Sequence, residues 1–178
     1  MATTRAGNVI GGGDWATDRL IPDIMKAIME NKPAIIRYPN AIRPWQHVLE
    51  PLRGYLSLVE MLWQYSKKYA CAWNFGPDEA DSRPVSWVAD YLTTLWGEGV
   101  VWKSNSAYHP PEANYLKLDC SKAKSLLGWM PALDLKTTLE WIVDWYRAYL
   151  QGKNMRIVTE AEILKYEQLL ERIFKERS

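Results

Sequence analysis

The chain has 178 residues, with 22 basic and 21 acidic side chains, a net charge of +1, and hydrophobic and charged fractions of 48% and 24%. This balance excludes a disordered polypeptide, and the lack of a basic stripe argues against a nucleic-acid binder, because phosphate neutralisation needs clustered Lys and Arg. No apolar run approaches the ~18 residues of a membrane span, and the N-terminus reads without a signal-peptide core; Cys71 and Cys120 show neither metal spacing nor a disulfide framework, which suits a reducing cytoplasm.

In chain order, Thr3 to Val9 reads as a strand running into Gly11-Gly12-Gly13. From Arg19, the residues Leu20, Ile21, Ile24, Met25 and Ile28 fall at helical spacing, with Pro22 tolerated in the first turn. Ala34 to Arg37 is a short strand closed by the turn Pro39-Asn40, and Ile42 to Val48 is extended. Pro51 opens a long helix whose Leu52, Tyr55, Leu56, Val59, Leu62 and Trp63 form one face. Ala72 to Phe75 is a brief strand before Gly76-Pro77. Ser86 is a candidate N-cap for a helix from Trp87 to Trp96, stopped at Gly97.

Val100 to Trp102 and Tyr115 to Leu118 read as strands, and Ser121 as the cap of a short helix ending at Gly128. Thr137 or Thr138 starts an amphipathic helix with the stripe Leu139, Ile142, Val143, Tyr146 and Leu150. A charged helix from Thr159 onward reads as a peripheral appendage. The alternation of strand and helix predicts the α/β class. The strands Thr3–Val9 and Ala72–Phe75 are apolar, as parallel strands in a sheet are, yet too few to build one. They and the helix after Pro51 are expected to leave an open strand edge and an exposed apolar patch.

Ten Trp and ten Tyr stand against two Phe, giving many side chains an apolar face with a polar tip for core, groove or ligand. Gly11-Gly12-Gly13-Asp14-Trp15-Ala16 fits a loose Gly-x-Gly-x-x-Ala pattern. A dinucleotide turn leads directly into a helix, whereas here the helix starts only at Arg19, so the run reads as a loop near a ligand. In Arg43-Pro44-Trp45-Gln46-His47-Val48-Leu49-Glu50, the guanidinium fork suits phosphate oxygens, and Trp45, two positions on, shares its face of an extended strand.

Taken together and in order, Arg-x-x-Asn-Val-x-Gly, Arg-Leu-Ile-Pro, Arg-Pro-Trp-Gln-His-Val-Leu-Glu, Asn-Phe-Gly-Pro, Leu-Asp-x-Ser-Lys-Ala and Leu-Gly-Trp-x-Pro resemble the second half of the extended short-chain dehydrogenases that act on nucleotide sugars, the NAD-dependent epimerase/dehydratase family. Within that family, the stretches Asn8 to Trp15 and Arg43 to Val48 resemble the branch that dehydrates CDP-glucose; related epimerases usually carry Arg-Asp-Tyr or Arg-Asp-Phe at the second place.

The resemblance covers residues 2 to about 151. It implies the C-terminal half of such a fold: the last strands of a Rossmann sheet plus a small α/β substrate-binding domain, with the charged helix of 152–178 apart. It further implies that Asn8 contacts the sugar nucleotide, that the helix start at Arg19 and Leu20 lies beside the diphosphate, and that Arg43 binds it. Trp45 then lines the nucleotide pocket, and Glu112, with His109, meets the ribose or base. The implied ligand is CDP-glucose or a related nucleotide sugar.

The implied reaction is an internal NAD redox cycle: hydride leaves C4, water is lost across C5 and C6, and hydride returns to C6. No catalytic or metal-binding residue is assigned in this chain. It is expected to lack the Gly-rich βαβ opening and the family's Tyr-x-x-x-Lys pair, Met1 falling in the middle of the usual enzyme, and therefore to be inactive without an N-terminal half. Another nucleotide-sugar epimerase or decarboxylase, or a free-standing binding module that pairs with a separate cofactor half, is the alternative.

Overall fold

A computed structural model describes residues 1–97, 99–105 and 114–176. Among these residues seven short strands and six α-helices alternate: β1 (Thr3–Ala6), β2 (Asn8–Ile10), α1 (Leu20–Met29), β3 (Ala34–Ile36), β4 (Ile42–His47), α2 (Leu49–Tyr65), β5 (Ala72–Phe75), β6 (Ser82–Pro84), α3 (Val85–Trp96), β7 (Trp102–Ser104), α4 (Ser121–Leu127), α5 (Leu135–Leu150) and α6 (Met155–Glu176). Three small sheets result: β1 with β5, β2-β4-β6, and β3 with β7. All pairings are parallel except the antiparallel β4–β6.

The expected strand Thr3–Val9 is in fact two, divided at Gly7. The first half pairs with β5 and the second with β4, so the chain steps from one sheet to another within one residue. Only glycine fits at the step: a Cβ on Gly7 would lie 2.4 Å from the Pro44 carbonyl oxygen. Gln46 ties the two sheets together on the same side, its Nε2 donating to the Phe75 carbonyl at 2.8 Å.

Several boundaries move by a residue or two. Pro84, not Ser86, precedes α3, and α5 starts at Leu135, where Asp134 accepts from the Thr137 N–H at 2.8 Å. Asp119, not Ser121, serves the start of α4, accepting the Ser121 N–H at 2.9 Å. Val100–Trp102 is displaced to Trp102–Ser104, and Tyr115–Leu118 shrinks to a single bridge between Tyr115 and Ile42.

Helix α2 turns a different face inward from the one its apolar spacing suggested. Glu50, Pro51, Gly54 and Leu58 are buried, Gly54 and Leu58 of them against β5, while Leu56, Val59 and Trp63 are 71%, 62% and 89% exposed. Of the expected stripe, Tyr55 and Leu62 pack partly against the cluster around β5, while Leu52, Leu56, Val59 and Trp63 stay uncovered.

Helix α6 is docked rather than peripheral, packing against polar groups of β4 and α2, although the His47 Nε2 that faces it keeps no hydrogen-bond partner among the described residues. His47 is fully buried; its Nδ1 accepts the Leu49 N–H at 3.3 Å, and its Nε2 faces Glu162 at 3.4 Å. The Glu50 carboxylate, also fully buried, accepts the N–H groups of Ala132 and Leu133 at 2.8 Å each and faces Arg53 at 3.4 Å. Arg53 donates in turn to the Tyr166 hydroxyl at 3.0 Å, and burial, followed by the Glu50 charge, pushes that phenol up.

Beside α5, the Gly-rich loop is clamped. A Cβ on Gly12 would meet the Trp145 ring at 2.2 Å, and the Tyr146 hydroxyl donates to the Asp14 carbonyl at 2.6 Å.

Three outcomes are expected. First, the uncovered stripe of α2 and the open edge of β1 should bind an apolar fluorescent dye, and Leu56→Lys with Trp63→Lys should remove most of the signal without unfolding the chain. Second, Glu50→Ala should cost about 3–5 kcal/mol in urea unfolding, since it orphans two buried N–H groups and Arg53. Third, burial pushes the Tyr146 phenol up to about 12 from its ordinary 10.0. The folded state therefore holds a proton that the unfolded state releases above pH 10, so stability is complete below that pH and falls by about 1.4 kcal/mol per pH unit as it rises toward about 12. Tyr146→Phe, less stable by about 1 kcal/mol at neutral pH, should draw level with the wild type within about one pH unit above pH 10 and be the more stable of the two beyond that, in unfolding titrations.

Candidate functional site

A cavity of about 520 Å³ opens between the β2–β4 pair, β3 and the start of α1. Parallel register places Asn8 beside Trp45, and alternation along β4 puts Arg43 and Trp45 on the same face. All three line the cavity, as do Arg19 and Leu20 at the head of α1. Five of the seven residues expected to hold ligand, drawn from three separated stretches, thus share one space. His109 and Glu112 lie outside the described residues. The flanks of their segment are fixed near the same cavity, since the Asn105 N–H reaches the Ile36 carbonyl at 2.8 Å and the Ile42 N–H reaches the Asn114 carbonyl at 2.9 Å.

The geometry suits an anion. Helix α1 starts at an extended Arg19 with no side-chain cap, so its first-turn N–H groups and positive dipole end face the cavity uncapped. Arg43 is only 8% exposed; its Nη1 donates to the Ile42 carbonyl at 2.9 Å, which fixes the guanidinium on the strand. Trp45 is anchored through its Nε1, which donates to the Arg83 carbonyl at 3.0 Å, leaving its ring as cavity wall. Ile21, Ile24, Ala34, Ile36 and Val85 supply an apolar side.

Sequence reading missed a second layer of charge. Arg37, from the end of β3, lines the cavity and faces Asp18 at 3.5 Å; Asp14 and Asp23 are also in the wall. Burial and the Asp18 charge raise the Asp23 carboxyl. Arg37 closed a predicted strand before a turn, a position with no motif to mark it. Asp18 carries a left-handed φ of 59° in the loop that delivers α1.

The Gly11-Gly12-Gly13 run does not fit a dinucleotide-binding turn. The space a Gly-rich turn would keep open for a pyrophosphate is filled at Gly12 and Gly13 by the Trp145 ring, and α1 begins only at Leu20. A Tyr-x-x-x-Lys spacing does occur, at Tyr149 and Lys153, contrary to the expectation that none exists. It straddles the end of α5, where Gly152 turns left-handed at φ 68°, so the two side chains share no helix face. Tyr149 stacks on Trp145 with centroids 6.1 Å apart, and neither residue lines the cavity. Among the described residues there is no cluster of His, Cys, Asp and Glu able to hold a metal, and no helix is long and apolar enough to cross a membrane.

No family model matches the chain. It is 50% identical over 166 residues to a CDP-glucose 4,6-dehydratase of Salmonella typhimurium, an alignment covering 93% of this chain and 46% of the relative. The chain thus spans about half the length of that curated relative. Among solved structures, UDP-glucuronic acid 4-epimerase from Bacillus cereus, in complex with UDP-glucuronic acid and NAD, superposes with a TM-score of 0.69 at 21% identity, over 82% of this chain and 45% of the other. The dTDP-glucose 4,6-dehydratase from Bacillus anthracis, in complex with NAD, gives 0.63 at 19% identity, over 82% and 44%. Along nearly its whole length the chain is similar in sequence to about half of a CDP-glucose 4,6-dehydratase, and it shares its fold with just under half of each of these NAD-bound epimerase and dehydratase structures.

Proposed function

We propose that this chain supplies the nucleotide-sugar site of a CDP-glucose 4,6-dehydratase. The observation that carries the reading is the convergence of Asn8, Arg19, Leu20, Arg43 and Trp45 on one cavity of about 520 Å³, in a chain half-identical to such an enzyme. Arg43 and the uncapped start of α1 take the diphosphate, the one by a guanidinium fork and the other by backbone N–H groups. Trp45 and the aliphatic wall take the flat or apolar parts of the nucleotide, and Asn8 offers both a donor and an acceptor to hydroxyl groups. His109 and Glu112 belong, in this reading, to the loop that meets the ribose or base, with the carboxylate accepting its hydroxyls.

The reaction proposed for the whole enzyme is loss of water from the hexose to give a 4-keto-6-deoxy nucleotide sugar. NAD is the cofactor carried by the neighbouring structures, and no step through it is assigned to the residues of this chain. Its share is binding and orienting the substrate. Residues 1–151 are read as the substrate-binding part, with 152–178 as a helix added to it.

Calorimetry on the 178-residue chain should show CDP-glucose bound more tightly than dTDP-glucose or UDP-glucose. Arg43→Ala should weaken CDP-glucose at least about tenfold, the scale of one lost charge-assisted pair. With NAD added, the chain alone should form no 4-keto product. Equal binding by Arg43→Ala would remove the diphosphate assignment, and turnover by the chain alone would overturn the restriction to binding.

A further inference from the structure

The end of β3 delivers a cation to the cavity wall. Ala34 and Ile36 are buried, whereas Ile35 is 59% exposed and Arg37, next in that alternation, is exposed as well; all of them line the cavity. Two observations place the Arg37 guanidinium. Its Nη2 lies 3.5 Å from the Asp18 Oδ1, and Asp18 is itself a wall residue. Its charge also reaches Asp23, another wall residue: burial, then the Asp18 charge, raises that carboxyl, and Arg37 is the foremost charge opposing them.

The Arg37–Asp18 contact is a loose one. Its 3.5 Å exceeds the ~2.7–2.9 Å of a tight charge-assisted hydrogen bond, and it engages one nitrogen of the guanidinium fork. The two side chains are 48% and 84% exposed, and ion pairs so open to water contribute little. An anion entering this cavity meets Asp14, Asp18 and Asp23 beside Arg19, Arg37 and Arg43. Of these carboxylates, Asp18 turns away at least cost. It is already hydrated, and it sits in the loop before α1 with a left-handed φ of 59°, outside the helix itself.

We propose that Arg37 is an exchangeable cation of the diphosphate site: Asp18 holds it at the cavity wall while no anion is bound, and the diphosphate takes it over, leaving Asp18 to water. This rests on the nucleotide-sugar reading for the identity of the ligand. A fork that a single carboxylate oxygen occupies loosely finds in a diphosphate several oxygens placed for two parallel N–H···O bonds. Asp18 thereby sets a threshold, since an anion gains Arg37 only by outcompeting a carboxylate.

The test uses the intact chain, with CDP and cytidine as probes in calorimetry. Arg37→Gln should weaken CDP at least about fivefold and leave cytidine unchanged. Asp18→Asn, which suits the same left-handed backbone, should tighten CDP by up to about fivefold, because the competitor is gone. In the double variant that gain should vanish, since it is exerted through Arg37. A carboxylate that merely repelled the anion would give the same gain with or without Arg37. Arg37→Lys keeps the charge but cannot fork, so it should weaken CDP by a smaller factor, and it serves if Arg37→Gln fails to fold. Wild-type binding of CDP that either Arg37 variant leaves undiminished overturns the proposal alone. So does an Asp18→Asn that gains nothing, or whose gain persists in the double variant. Failure of the wild type to bind CDP at all overturns the nucleotide-sugar reading and the proposal with it.

Discussion

Strand β4 has to serve two environments at once, and the rest of the molecule is arranged around that constraint. Its six residues are almost wholly buried, although four of them are Arg, Pro, Gln and His. Because a strand alternates its side chains, Arg43 and Trp45 look into the large cavity while Pro44 and Gln46 look toward the β1–β5 sheet. Polar groups in such a place need partners: the Gln46 Nε2 holds β5, the Trp45 indole holds β6, and the nearby Glu50 holds the turn after α4, while the Gln46 Oε1 and the His47 Nε2, which faces Glu162 of α6, keep no hydrogen-bond partner among the described residues.

The motifs that looked like a single fingerprint in the sequence therefore divide into two groups by position. The first group lines the cavity. The second, comprising Glu50, Trp129 and the segment to Leu133, never reaches it. The Trp129 indole donates to the Glu50 carbonyl at 3.2 Å, and the Glu50 carboxylate closes the turn behind it. These residues fix where β4 ends and α2 begins, so they act on the site through its backbone.

Much of this was legible in the amino-acid order, for identifiable reasons. Helices with a single apolar stripe, such as α1 and α5, announced themselves through periodicity, and Arg43 and Asn8 through the company they keep along the chain. What stayed hidden depended on contacts between distant residues. The inward face of α2 was misread because its tightest contact, at Gly54, offers no side chain to count. Docking of α6 was missed because its buried Tyr166 and half-buried Glu162 are scattered among charged neighbours. Arg37 and Asp18 became visible as site residues only once folding brought β3 against the loop before α1.

The seal over His47 has a kinetic side. The hydrogen bond from Arg53 to Tyr166 joins residues 113 positions apart, and the Glu162–His47 contact spans a similar length of chain. Closing so long a loop must precede the reward of the contact, which places it among the slow, non-local steps of folding. Until that closure, β4 carries its imidazole and its neighbouring carboxylate without their final partners. The cavity wall that β4 builds is thus tied to one of the chain's long-range closures, through a helix that does not itself line the cavity.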